Sequence, residues 1–238
     1  MTLIWVINPN ITEAMTVAIA RNARAVVAPG TTIAGITPHS GPPSIECHYD
    51  EAMSVPGVLA AIKQGEEEGV DGYVIACFGD PGLEAAREVA RGPVIGIAEA
   101  AMHTASHLGR GFSVVTTLAR TIGRAADLAE HYGMQRFCRG IHACELPVLE
   151  LDTNPDAVKI VTEACRRAVE ADGSDVVVLG CAGMADMCAP VSAELGLPVV
   201  DGVTAATLTV QSLIALGLHT SKRGEFAPPP AKVHRSAG

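Results

Sequence analysis

Short apolar runs recur along the chain at 3–7, 32–36, 72–76, 94–96, 112–115, 140–143, 176–180 and 199–200. Most lack polar alternation, which is the pattern of strands covered on both faces. Between them lie amphipathic stretches of helical period at 13–27, 55–68, 82–90, 97–108, 118–132, 155–171, 185–195 and 203–216. Strand and helix alternating in this way predict an α/β protein with mainly parallel sheets under helices. Beyond Leu218 the chain turns polar and Pro-rich, with Pro228, Pro229 and Pro230 in a row, and predicts a surface arm.

Composition narrows the picture. Of 238 residues 48% are hydrophobic but only 3% aromatic, so a sizeable core must be built from Ala, Val, Ile and Leu. The net charge of −9 excludes the basic footprint of a nucleic-acid binder and gives no attraction to an anionic membrane. No stretch of about 20 residues is free of charged and polar interruptions, so no membrane span is expected. The first residues read directly as a strand without a positive n-region, and a signal peptide is not expected. Seven cysteines is an odd number, and none form C-x-x-C. A reduced, cytoplasmic protein without a zinc site follows as the expectation.

The chain echoes itself. The string DGYVIACFG at 71–79 aligns with DVVVLGCAG at 175–183, and PVIGIAEAA at 93–101 with PVVDGVTAA at 198–206. A weaker echo joins Ile4–Asn8 to Phe112–Thr116. Three echoes in one order predict two pseudo-symmetric Rossmann-like halves. We expect 1–96 plus 205–238 in the first and 97–204 in the second, with the site in the cleft between them.

Cys77 and Cys181 each follow a buried strand and precede a helical pattern. That predicts sulfurs at the tops of two sheets, near helix N-termini that favour a thiolate. Gly79 and Gly183, two residues on, let successive N–H groups face one small site. Two thiols facing one cleft suit inversion of a carbon acid, which needs a base on one face and an acid on the other. The N–H groups after each cysteine, with Asn8, Thr116 and Thr117, are candidates to stabilise the resulting enolate. Cys47, Cys138, Cys144, Cys165 and Cys188 fall in less suggestive places and read as packing or incidental thiols.

Other chemistries remain open at this point but fit less well. A two-lobed binding protein would not need a thiol on both strand tops. A thiol redox enzyme would favour C-x-x-C, and none of the four lysines stands at a strand end to form a pyridoxal Schiff base. The histidines lack a carboxylate set to orient them for hydrolysis, and His103 and His107 read as a helix face. Glu66–Glu68 reads as a solvated helix end. Glu46, Asp50 and Glu51 read as surface carboxylates that border the site or simply face water. Asp80 is expected to cap the helix near Pro81. Phe78, one of few aromatics, is expected to touch substrate.

The motifs VINPN at 6–10, VIACFGDPG at 74–82, PVIGIAEAA at 93–101, SVVTT at 113–117 and VLGCAGM at 178–184 resemble the aspartate/glutamate/hydantoin racemase family over nearly the whole chain. They look most like its hydantoin racemase branch, which includes allantoin racemases, and GPPSIECHYD at 41–50 is nearer to the latter. Cys47 stands there in place of an expected glycine. The resemblance implies a cofactor-independent racemase of a small-molecule substrate, 5-substituted hydantoins including allantoin, with Cys77 and Cys181 as its acid/base pair. It also implies substrate contacts at Asn8, the 42–45 loop with Pro42 and Ile45, Phe78, Gly79, Thr116, Thr117, Ala182 and Gly183. Aspartate and glutamate racemases are a poorer match. A homo-oligomer with no metal, nucleic-acid or membrane partner is expected.

Overall fold

The computed structural model describes residues 1–232. The chain runs β1 (Thr2–Ile7), α1 (Glu13–Val26), β2 (Thr31–Ile36), α2 (His48–Glu68), β3 (Gly72–Ile75), α3 (Leu83–Val89) and β4 (Val94–Gly96). It continues through α4 (Ile97–Ser106), β5 (Phe112–Thr116), α5 (Ile122–His131), β6 (Cys138–Ala143), α6 (Ala157–Asp172), β7 (Val176–Leu179), α7 (Cys188–Leu195), β8 (Val199–Asp201) and α8 (Gly202–Ala215). The strands form two parallel sheets, β2-β1-β3-β4 and β6-β5-β7-β8. The second order is the first shifted by four strands, so this is the two-half α/β fold the echoes predict.

The repeat extends to single hydrogen bonds. Asp71 N donates to Leu3 O at 2.9 Å, and Asp175 N donates to Gly111 O at 3.0 Å. Each aspartate carboxylate also accepts a nearby backbone N–H at 2.8 Å, Leu3 for Asp71 and Arg110 for Asp175. The acidic residues that open both echo strings thus pin the cysteine-bearing strand to its neighbour in the same way. That registers Ile4 against Gly72 in one half and Phe112 against Val176 in the other.

Both β3 and β7 are buried at every position, which is why their sequences show no alternation. One face of each sheet meets a shared core. There Ile4, Val74, Val114 and Val178 pack with Ala101 and Met102 of α4 and with Val203, Ala206 and Val210 of α8. The alanines on α4 and α8 let these helices lie close together between the sheets. On the outer faces Ile7 and Ile75 pack under α2 and α3, and Val115 and Leu179 under α6 and α7. Each fully buried Ile or Leu contributes about 1.5–3 kcal/mol here.

Several local expectations are corrected. Helix α2 begins at His48 and carries Pro56 inside it, so the first turn reaches the cleft. Glu66 is not a solvated helix end: it accepts the Tyr73 hydroxyl at 2.9 Å and Arg91 Nε at 2.7 Å. The tail, as far as it is described, is the surface arm expected, and it is fastened to the first half. Thr220 Oγ1 donates to Gly92 O, and Lys222 Nζ donates to Arg87 O and Glu88 O at the end of α3. Helix α8 packs back on β3 and β4 and against α4. On that packing we propose the division 1–96 with 205–238 and 97–204; its residues 233–238 lie outside the described ones.

Candidate active site

A cavity opens between the halves, lined by residues of both. Its wall takes residues from the carboxyl ends of β1, β3, β5 and β7, among them Asn10, Ala76–Gly79, Thr116, Thr117 and Gly180–Ala182. In each sheet the chain turns one way after β1 or β5 and the other way from β3 or β7. A crevice opens at such reversals in parallel sheets, and here two of them face one another.

Cys77 and Cys181 both line this cavity. The backbone N–H two residues on, of Gly79 and of Gly183, stands near each sulfur and favours its thiolate. The two turns match closely, since a Cβ on either glycine would stand 3.8 Å from its cysteine Sγ. Burial pushes both thiols up to about 12, and the N–H bonds pull back only in part. Nearby charge adds to the rise, from Cys181, Asp80 and Glu51 at Cys77 and from Cys144, Asp152 and Glu46 at Cys181. This corrects the thiolate expected from helix dipoles. Helix α3 starts only at Leu83, and the segment after Cys181 is a 3-10 turn, Ala182–Met187. Neither cysteine stands directly at the start of an α-helix.

The structure brings Ile45, Phe78, Gly79, Thr116, Thr117 and Ala182 onto the same wall as the two cysteines. Phe78 serves the wall and the shared core at once. Asn8, Pro42 and Gly183 are not on the wall. Asn8 is buried and spends its amide on Asn10 Oδ1, Thr12 O and Thr16 Oγ1, bracing the β1–α1 turn. Pro42 offers its carbonyl to Ile11 N at 3.1 Å, which anchors the loop that presents Ile45. Gly183 lies behind Cys181, where a Cβ would press on Leu151 at 3.0 Å. Thr116 has an internal bond too, sharing a proton with Thr121 Oγ1 at 2.8 Å.

Sequence reasoning missed other wall residues: Asn10, Met15, Cys47, His48, Arg120, Thr121, Arg124 and Val148. Of the three carboxylates expected either to border the site or to face water, the structure places Glu46 and Glu51 on the wall, whereas Asp50 turns away to accept Glu46 N at 3.1 Å. Cys47 ends the loop before α2, at its N-cap position. The one available signal was the contiguous run from Ile45 to Glu51, which brings several polar side chains to one helix start.

Glu46 and Glu51 of the first half both reach the second half across the cavity. Glu46 Oε1 accepts Val148 N at 2.7 Å, and Glu51 pairs with Arg124 at 2.7 Å. Burial keeps the Glu51 carboxyl above its ordinary value despite that cation. Asp80 does not cap α3. Its carboxylate crosses to the start of α4, accepting Ala98 N at 3.1 Å and Glu99 N at 3.0 Å, and it takes the Tyr132 hydroxyl as well. Burial pushes it up to about 7, and the three donors hold it back from rising further. A side chain on Gly96 would collide with this carboxylate, its Cβ 2.2 Å from Asp80 Cγ. Among the described residues no three His, Cys, Asp or Glu side chains converge as a metal site requires, and no helix is long and apolar enough to cross a membrane.

Residues 4–210 match the family model described as Asp/Glu/Hydantoin racemase. A hydantoin racemase of Rhizobium meliloti is 47% identical over 231 residues, 97% of this chain and 96% of the relative. The solved allantoin racemase from Klebsiella pneumoniae is 52% identical with a TM-score of 0.97, covering 99% of this chain and 97% of that one. A glutamate racemase from Francisella tularensis shares the fold at 19% identity and a TM-score of 0.67, over 95% of this chain and 85% of that one.

Proposed function

This chain belongs to the Asp/Glu/hydantoin racemase family and is a racemase, and we propose that it inverts C5 of hydantoin-type rings, 5-substituted hydantoins including allantoin, with Cys77 and Cys181 as a two-base pair. The observation that carries the reading is the matched pair of cysteine turns, one from each half, opening on a single cavity. The R. meliloti and K. pneumoniae relatives supply the substrate class.

The hydantoin C5–H lies beside a ring carbonyl, so its removal leaves a planar, delocalised enolate. One cysteine, as thiolate, takes that proton on its face of the ring. The other, as thiol, gives its proton to the opposite face, and the pair is left poised for the reverse direction. Backbone N–H groups of the two turns, with Thr116 and Thr117, hold the carbonyl oxygen on which charge develops. Ile45, Phe78 and Ala182 pack against the ring or its substituent, while Asn8, Pro42 and Gly183 support that wall from behind.

Burial at both sulfurs has two consequences. It makes the thiolate scarce, at about 1.36 kcal/mol for each unit between pKa and pH. It also makes the thiolate, once formed, a stronger base. No step uses a cofactor. All seven cysteines are free, in keeping with a reducing, cytoplasmic setting. The test is polarimetry on pure enantiomers of allantoin, 5-benzylhydantoin and an alkylhydantoin, with and without chelator. Racemisation of at least one, undiminished by chelator, is expected. Binding without loss of rotation would leave a two-lobed binding protein instead.

A further inference from the structure

Arg124 is the one described residue with a buried side-chain N–H, Nε, that has no partner. It belongs to α5 of the second half, yet its Nη2 donates to Gly79 O of the first half at 2.7 Å. The same nitrogen pairs with Glu51 Oε1 of α2 at 2.7 Å. Its guanidinium lines the cavity about a third exposed, so it sits at the boundary of the site, reaching back into the loop that carries Cys77.

The chemistry of that loop makes the contact consequential. Gly79 supplies the N–H that faces the Cys77 sulfur, and its carbonyl is the group Arg124 grips. Holding the carbonyl fixes the plane of the peptide that follows and, through it, the orientation of the Phe78–Gly79 turn. Glu51 is the second part: its Oε2 comes within 3.4 Å of where a Gly79 Cβ would be, and its negative charge opposes a thiolate at Cys77. The Arg124 cation offsets that charge. Cys181 has no such contact from Arg124. Its turn is followed by the 3-10 segment, which α1 braces through the Arg21–Asp186 pair.

We propose that Arg124 is a positioning residue for one thiol alone, holding the Cys77 turn and neutralising Glu51 beside it, so that its loss disables proton transfer on the Cys77 face and spares the Cys181 face. This rests on the two-thiol reading above. A general structural role would weaken both faces, and the asymmetry separates the two.

The test uses single-thiol variants of the full chain. In D₂O, C181S leaves Cys77 to exchange the C5 proton of one enantiomer, and C77S leaves Cys181 to exchange that of the other. Adding R124M to C181S is expected to slow exchange roughly ten- to a hundredfold, the scale of a misplaced catalytic group. Adding it to C77S is expected to cost markedly less at saturating substrate, because Arg124 holds the Cys77 turn and makes no contact with the Cys181 turn. R124K, which keeps the charge and a donor, is expected to recover part of the loss in the C181S background, and it supplies the readout if R124M does not fold. Equal losses in both backgrounds, or no loss in either, overturn the inference while leaving the two-thiol reading intact. Absence of enantiomer-specific exchange in C77S and C181S themselves overturns the two-thiol reading and this inference with it.

Discussion

The Tyr132 hydroxyl donates to Asp80 Oδ2 at 2.7 Å, tying the end of α5 to the loop that leaves Cys77. Burial raises the Asp80 carboxyl to about 7. A raised acid keeps its proton in the folded chain at a pH where the unfolded chain has released it. Its contribution to stability is therefore complete below the unfolded pKa of about 4 and is lost as pH rises through about 7.

Replacing Tyr132 by Phe removes a donor that matters most to the ionised carboxylate. We expect Tyr132→Phe to cost about 1–3 kcal/mol, and the gap to the parent protein to be wider at pH 9 than at pH 5. Urea unfolding of both proteins at the two pH values reads this directly. Other titrating groups, such as Asp172 with its lowered pKa, cancel in the comparison. A gap independent of pH would mean that Asp80 does not titrate in this range.

Because burial holds both thiols up at about 12, thiolate is scarce at neutral pH and grows as pH rises. The rate constant kcat/KM is expected to climb about tenfold per pH unit between pH 7 and 9. A profile already flat by pH 7 would show that a group of much lower pKa serves as the base.

The remaining cysteines separate packing from chemistry. Cys165 is fully buried in α6, so Cys165→Ser is expected to cost about 1–2 kcal/mol by burying a hydroxyl, with racemisation kept. Cys47 lines the cavity but stands at the start of α2, and Cys47→Ala is expected to retain both stability and activity. Denaturation midpoints beside racemisation rates check both. A Cys47→Ala variant without activity would place a third thiol in the mechanism.

The strands were legible because burial on both faces removes polar alternation, and β3 and β7 show it plainly. The two halves were legible because Asp71 and Asp175 recur at one offset with the cysteines six residues behind them. What escaped was set by distance. Asp80 finds its partners in Ala98, Glu99 and Tyr132, on elements whose approach no local spacing encodes. Asn8 and Asn10 show the same limit at short range, since only the turn geometry decides which of the two faces the cavity. The early start of α2 escaped because Pro56 reads as a first-turn residue, yet it sits more than two turns inside. That misplacement left the role of Glu51 undecided, and its partner Arg124, on a distant helix, had no local signal.

The central claim is that two thiols, one from each half, work on opposite faces of one carbon. Proton NMR in D₂O on C77S and C181S, each with each pure enantiomer, tests it most directly. Neither variant is expected to racemise, because a serine hydroxyl is too weak an acid and its alkoxide too scarce to replace a thiol at neutral pH. Each is expected to exchange the C5 proton of a single enantiomer without inversion, and the two variants to choose opposite enantiomers. Racemisation by either variant at near the parent rate would contradict the account and require a base other than these two cysteines.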